Sequence, residues 1–354
     1  MRGSGTGAAQ LRLGIVGCGR VVERLHLPAL RSCDAWQISA VAEPLGERRA
    51  WIGSALPGVR VTDTLPELLA GGDVDAVLIA APPVTHCALA LEALSRGVAV
   101  LVEKPMALLV SDARAMRDAS RQVRRPLWVG FNRRFRTSYR AMRDLLRGER
   151  ARRCDITFVL SAGSGTWSSV TDFQGSDSAG GGVLDDLASH QLDLLPWLLN
   201  DRRKHVQARH LRVRTPTSAF AITVTFEGGT TAKCIAKSGP HYREQLVVRI
   251  GERRFLADPA GTWDVSGLTP GLATWLADRR TMAASLWRKA RRRPSGSVES
   301  IRRQWEAFAA VVTGTNEPHD GADAEDGLRC VEAVAECREH LGSVTGSLDL
   351  GVVS

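Results

Sequence analysis

The sequence predicts a two-domain α/β protein: a doubly wound parallel sheet, then an α+β domain built on a largely antiparallel sheet. Three observations carry this expectation. Strands and helices alternate from Leu11 to Phe131, strand-like segments follow one another without helices after Phe135, and 354 residues are too many for one ordinary core. Hydrophobic residues make up 44% and charged residues 24%, which is globular and excludes long disorder. No apolar run reaches the roughly 18 residues of a membrane span, so no membrane partner is expected.

The first half reads as strands at Leu13–Val16, Ile38–Ala42, Val59–Thr62, Ala76–Ala80, Val98–Val102 and Leu127–Gly130. Helices fit between them at Val21–Ser32, Leu65–Ala70, Thr85–Arg96 and Ser111–Gln122. The run AVLIA at Ala76–Ala80 is apolar throughout, as a strand covered on both faces must be. In the second half a helix (Ser138–Arg147) precedes a strand (Cys154–Leu160), a Gly/Ser-rich loop and a helix near Val183–Leu199. Strands are expected at Val206–Val213, Phe220–Phe226, Thr231–Lys237, Gln245–Ile250 and Arg253–Leu256. A basic loop (Arg291–Ser297) and two closing helices (Glu299–Val312, Ala322–Leu341) complete the chain. The division expected is a flexible leader at 1–10, a cofactor domain at 11–134, and a substrate-binding and oligomerisation domain at 135–354. The leader is Gly- and Ala-rich without an apolar stretch, unlike a signal peptide.

Seven cysteines are scattered without a CxxC or a ligand cluster, which fits reduced thiols, a cytoplasmic address and no metal. The net charge of +9 comes mainly from arginine, concentrated in Arg114–Arg153 and in the run RKARRR at Arg288–Arg293. Such stretches either meet an anionic partner or form solvated helix faces. Without a recognisable module or interleaved aromatics, the solvated reading is preferred and no nucleic-acid partner is expected. The 288–293 run is expected at a surface loop or helix end.

Three motifs carry chemistry. Gly17-Cys18-Gly19-Arg20-Val21-Val22 follows a strand and opens a helix, where glycines let backbone amides approach a pyrophosphate. Glu43 ends the second strand, where an acidic residue grips a ribose 2′-hydroxyl and repels a 2′-phosphate. The pattern is that of a Rossmann domain preferring NAD to NADP, a preference that nearby Arg48 and Arg49 can soften. Glu103-Lys104-Pro105 closes another strand, so Lys104 either faces the cofactor cleft or lies in a surface turn. In GGGVLDDLASHQLD (Gly180–Asp193), helical spacing sets Asp186, His190 and Asp193 on one face and Leu184, Leu187, Gln191, Leu194 and Leu198 on another. That polar stripe either lines a pocket, with histidine as proton carrier, or is a solvated face. A metal would lack a convincing third and fourth ligand.

Together GIVGCGRVVERLHLPAL, DVDAVLIAAPPVTHCALALEALSRGVAVLVEKPMAL, VGFNRRF and GGGVLDDLASHQLDLLPWLL resemble the glucose–fructose oxidoreductase / inositol dehydrogenase (Gfo/Idh/MocA) family in order and spacing, from about residue 12 to 200. The resemblance implies that Gly17, Gly19, Arg20, Val21 and Glu43 hold the adenosine and pyrophosphate half of NAD. It implies that Ala81, Pro82, His86 and Glu103 surround the ribose and nicotinamide. Lys104, which also borders the cofactor, Asp186 and His190 match the family's catalytic residues. Ala188 replaces the usual glycine of DxGxH, and Val22 occupies the third fingerprint position.

The reaction expected is hydride transfer between nicotinamide and a secondary alcohol or ketone of a sugar, cyclitol or sugar derivative. His190 would move the proton, Lys104 would stabilise the reacting oxygen, and Asp186 would orient His190 or a neighbouring hydroxyl. Arg133, Tyr139 and Trp167 are further candidates for lining the substrate pocket. A homodimer or homotetramer is expected, because one face of the antiparallel sheet needs cover. Two other functions stay open at this level: a glycoside-cleaving enzyme retaining NAD, and a non-catalytic NAD-binding protein.

Overall fold

A computed structural model describes residues 10–148, 153–162, 182–211, 218–239, 242–290, 296–314 and 320–343. The chain divides into two compact units, Met1–Arg136 with Arg292–Leu328, and Thr137–Arg291 with Arg329–Ser354.

The first unit is built on strands β1 (Leu11–Val16), β2 (Trp36–Ala42), β3 (Arg60–Thr62), β4 (Ala76–Ile79), β5 (Ala99–Val102) and β6 (Leu127–Val129). Their order is β6-β5-β4-β1-β2-β3, all parallel, and a short strand Ala322–Asp323 runs antiparallel along β6. Strands β4 and β5 bury every residue, as helices on both faces require. The order reverses between β1 and β4, and a ligand of such a sheet binds at the carboxyl ends beside that switch point.

The unit is closed by a helix from much later in the chain. Gly296–Val312 presents Val298, Ile301, Trp305 and Phe308, all buried, to the core that contains Leu13, Ile15, Trp36 and Trp128. Trp305 packs edge-on to Trp36, with centroids 5.4 Å apart, and its carbonyl accepts the Trp36 indole N–H at 2.9 Å. Residues 135–354 were expected to form one domain; Arg292–Leu328 instead belong to the first unit. Spacing marks an apolar helix face but not the core it serves.

The second unit holds β7 (Asp155–Ala162), β8 (Arg203–His210), β9 (Ala219–Phe226), β10 (Thr231–Ser238), β11 (Arg243–Ile250), β12 (Arg253–Asp258) and β13 (Gly261–Asp264), in the order β13-β12-β11-β7-β10-β9-β8. Among these described strands only β7 and β10 pair in parallel. One face buries Ile156, Phe158, Leu160, Ile222, Val224, Cys234, Leu246 and Val248. The alternate residues Thr157, Val159, Thr223, Thr225, Lys233, Ile235 and Val247 stay partly or wholly exposed. Helix Pro270–Ala290, absent from the sequence expectation, lays Ala273 and Ala277 against Leu256 and Val265. Its Asp278 accepts from Arg243 and Gln245, each at 2.9 Å. The 288–290 part of the basic run ends this helix, and residues 291–293 lie outside the described residues.

Candidate active site

The first motif folds as a strand–turn–helix. Gly17 sits at φ +84°, and a Cβ there would lie 2.7 Å from the Ala80 carbonyl oxygen, so only glycine fits. An added Cβ at Gly19 would meet nothing within 4 Å. That open space lies where amides at a helix start can approach a pyrophosphate, and it is the feature that fits a dinucleotide. Val22, the departure from the fingerprint, is buried in the core, and Val22–His26 winds as a wide π turn before helix Leu27–Leu30. Arg20 and Val21 are half-buried.

Glu43 is buried at the end of β2, and both its carboxylate oxygens hold the turn. Oε2 accepts the Cys18 amide at 2.6 Å and Oε1 the Leu45 amide at 2.9 Å. Burial, reinforced by the Glu43 charge, pushes the Cys18 thiol up to about 12, so it is no nucleophile at neutral pH. Arg48 reaches the Cys18 carbonyl and Glu23, and Arg49 reaches the carbonyls of Glu43 and Pro44.

Ala81 is half-buried and Pro82 exposed just beyond β4, but His86 is wholly buried. Its Nδ1 lies 2.9 Å from the Pro105 carbonyl and its Nε2 2.9 Å from that of Ala81. Burial holds the ring below its ordinary pKa, outweighing the pull of these carbonyls. The resemblance places His86 beside the cofactor; here it has no exposed surface for that and ties the loop after β4 to the loop after β5.

At the end of β5, Glu103 Oε1 lies 2.8 Å from His26 Nε2, and Oε2 accepts the Lys104 amide at 3.1 Å. Burial alone raises the Glu103 carboxyl; the hydrogen bond and electrostatic pull of His26, then the Lys104 charge and amide, outweigh it and hold the group below the usual carboxylate range. Lys104 itself is half-buried, and the Lys104–Pro105 peptide is cis. In the same unit Arg133 is buried in the turn Asn132–Phe135.

The second unit carries the other motif on a π turn, Leu184–Ala188, continuing into helix Ser189–Leu199. A leucine face opposite a polar face was expected, but the segment is buried nearly all round. Asp185, His190, Gln191 and Asp193 are buried and Asp186 is half-buried. Gln191, expected on the apolar side, donates to the carbonyls of Phe158 (2.8 Å) and Ile235 (3.2 Å), pinning the helix to β7 and β10. Asp185 pairs with Arg338, and the Ser189 hydroxyl donates back to the Asp185 carbonyl at 2.6 Å. Tyr139 is completely buried and donates to Glu244 at 2.7 Å, so it is a core residue with no surface for a substrate. Trp167 lies outside the described residues. Among the described residues no group of three or more His, Cys, Asp or Glu is arranged to hold a metal, and no helix is long and apolar enough to cross a membrane.

Residues 11–131 match the model of an oxidoreductase family with an NAD-binding Rossmann fold, and residues 141–254 match the GFO/IDH/MocA C-terminal domain. The chain belongs to the GFO/IDH/MocA family. Its first unit is an NAD-binding Rossmann domain. A family relative, the rhizopine catabolism protein MocA of Rhizobium meliloti, is 29% identical over 212 residues, 60% of this chain. Inositol 2-dehydrogenase of Corynebacterium glutamicum is 27% identical over 205 residues, 56% of this chain. These matches span 63% and 57% of the relatives' own lengths. Among solved GFO/IDH/MocA-like folds, a putative myo-inositol dehydrogenase from Sinorhizobium meliloti superposes with a TM-score of 0.75 at 19% identity, covering 94% of this chain and 98% of that one. An oxidoreductase from Thermotoga maritima gives 0.78 at 19%, covering 94% and 97%.

Sequence reasoning missed His26, Trp305 and Asp185. His26 stands in the segment GIVGCGRVVERLHLPAL as a lone histidine on an apolar helix, a pattern with no chemical signature of its own. Trp305 is 279 residues from the histidine it touches, and no local signal links them.

Proposed function

We propose that this GFO/IDH/MocA protein oxidises a secondary alcohol of a sugar, cyclitol or sugar derivative with NAD, and runs the reverse reduction. The observation that carries the reading is Lys104. It stands at the carboxyl end of β5, fixed through Glu103, at the same end of the sheet as the open Gly17–Gly19 turn. NAD, when bound, supplies the hydride acceptor. Lys104 donates a hydrogen bond to the substrate oxygen and stabilises the negative charge it develops. Neutral His190 takes the hydroxyl proton as general base, and Asp186 orients His190 or a neighbouring substrate hydroxyl. Gly17, Gly19, Arg20, Val21 and Glu43 hold the adenosine and pyrophosphate half, with Ala81, Pro82 and Glu103 nearer the nicotinamide.

NAD is preferred to NADP because the Glu43 carboxylate repels a 2′-phosphate, while Arg48 and Arg49 are engaged with backbone carbonyls. The protein works as a homodimer or homotetramer in the cytoplasm, where its seven free thiols are kept reduced. The test is a screen of cyclitols, free sugars, amino sugars and nucleotide sugars for NADH formation, with the keto forms assayed for NADH consumption. The reading expects at least one alcohol to reduce NAD and Lys104→Met to abolish that turnover while NAD still binds. Absence of turnover across the panel, or full activity of Lys104→Met, would overturn it.

A further inference from the structure

We infer that His26 and Trp305 are positioning residues for the Glu103–Lys104 pair, forming an indole–imidazole–carboxylate relay that holds the strand-end carboxylate against the Lys104 amide. The inference rests on the part proposed for Lys104. Trp305 Nε1 lies 3.2 Å from His26 Nδ1, and the two rings meet edge-on at 5.8 Å. An indole N–H only donates, so Nδ1 is the acceptor and the ring proton sits on Nε2. Nε2 faces Glu103 Oε1 at 2.8 Å, which makes that contact a donation from the ring to the carboxylate. The second carboxylate oxygen is left to accept the Lys104 amide at 3.1 Å.

Space around the carboxylate is also reserved. A Cβ on Gly130 would lie 2.9–3.0 Å from the Glu103 carboxyl atoms. His26 is wholly buried at the end of its π turn, where its ring nitrogens meet the Trp305 indole on one side and Glu103 on the other. Across the strand end His86 holds the Pro105 carbonyl at 2.9 Å. The three residues Glu103-Lys104-Pro105 are therefore clamped between two buried histidines, and Gly296–Val312 reaches the catalytic strand end through one N–H group. The groups facing Glu103 are His26, Lys104 and His86.

Three variants separate positioning from mere packing. His26→Leu removes the donor to Glu103, His26→Gln restores an N–H near the position of Nε2, and Trp305→Phe keeps a ring but deletes the indole donor. With a substrate from the screen, His26→Leu should lower kcat about tenfold to a hundredfold and leave the NAD Kd little changed. His26→Gln should recover most of that loss. In His26→Leu, loss of that donor raises the Glu103 carboxyl, so kcat should fall more steeply on the acid side than in the unmodified protein. Trp305→Phe should show the same steepening in weaker form, and it carries the test if His26→Leu does not fold. A folded variant with unchanged kcat and unchanged pH profile would overturn the relay. Long-range 1H–15N spectra of histidine-labelled, unmodified protein decide the relay without any turnover: His26 should show a protonated Nε2 and a bare Nδ1, and the opposite tautomer would contradict it. If no alcohol reduces NAD, the dehydrogenase reading fails, while the spectra still decide the relay.

Discussion

Gly17 shows how much one missing side chain decides. At φ +84° with the Ala80 carbonyl 2.7 Å from any Cβ, alanine would strain the backbone and push β1 from β4. Gly17→Ala is expected to cost about 1–3 kcal/mol in urea unfolding and to weaken NAD binding in calorimetric titration. Glu43 braces the turn, and the proposed function gives it a second duty, selecting the cofactor. Glu43→Ser should narrow or reverse the ratio of NAD to NADP affinity; equal affinities in the unmodified protein would contradict the selection argument. Away from the site, burial pushes the Asp258 carboxyl up to about 6 from its ordinary 3.8, although the amides of Ala260 and Gly261 and the charge of Arg280 favour ionisation. Between those values the native state holds a proton that the unfolded chain has released, so this group's contribution to stability falls as pH rises through 6. Asp258→Asn keeps an acceptor for the two amides and should stabilise the protein by about 1–3 kcal/mol at pH 8, with little effect at pH 4. Urea unfolding at both pH values checks this.

Among the elements, helix Gly296–Val312 contributes most beyond its local sequence. Trp305 is fully buried, takes the Trp36 indole N–H on its carbonyl and gives its own to His26. Trp305→Ala is expected to lose about 3–5 kcal/mol, a cavity-forming loss that Trp305→Phe largely avoids. Most strands of both sheets were legible in the sequence, because β-branched runs between turn residues report burial directly. Lys104 and Glu43 were legible as strand-end residues. Helix Pro270–Ala290 was not, because its amphipathicity is inverted: Ala273 and Ala277 face the protein while Leu272, Trp275, Met282 and Leu286 face outward. The helix bearing His190 misled in another way. Its Gln191 is buried and bonded to β7 and β10, and Asp185 of the preceding turn is buried and paired with Arg338, so polarity there did not mark a solvent face. His86 and Tyr139 follow the same rule, as buried polar side chains serving backbone or carboxylate partners.

For the molecule as a whole, the outward stripe of Pro270–Ala290 and the half-exposed face bearing Val159 and Ile235 are the surfaces that self-association would cover. Light scattering at micromolar concentration should give a dimer or tetramer. Replacing Leu272, Trp275, Met282 and Leu286 by polar residues should weaken assembly while leaving each unit folded, and an unmodified monomer would contradict the proposal. The central claim concerns chemistry, namely that His190 takes the proton as a hydride leaves the same carbon. Its most direct measurement is the pH dependence of kcat for alcohol oxidation in the unmodified protein and in His190→Asn. The account predicts that the unmodified rate climbs with pH as the imidazole loses its proton, and that His190→Asn is about 10²–10⁴-fold slower with that rise gone. A His190→Asn enzyme that turns over at the unmodified rate with the same rise would contradict it.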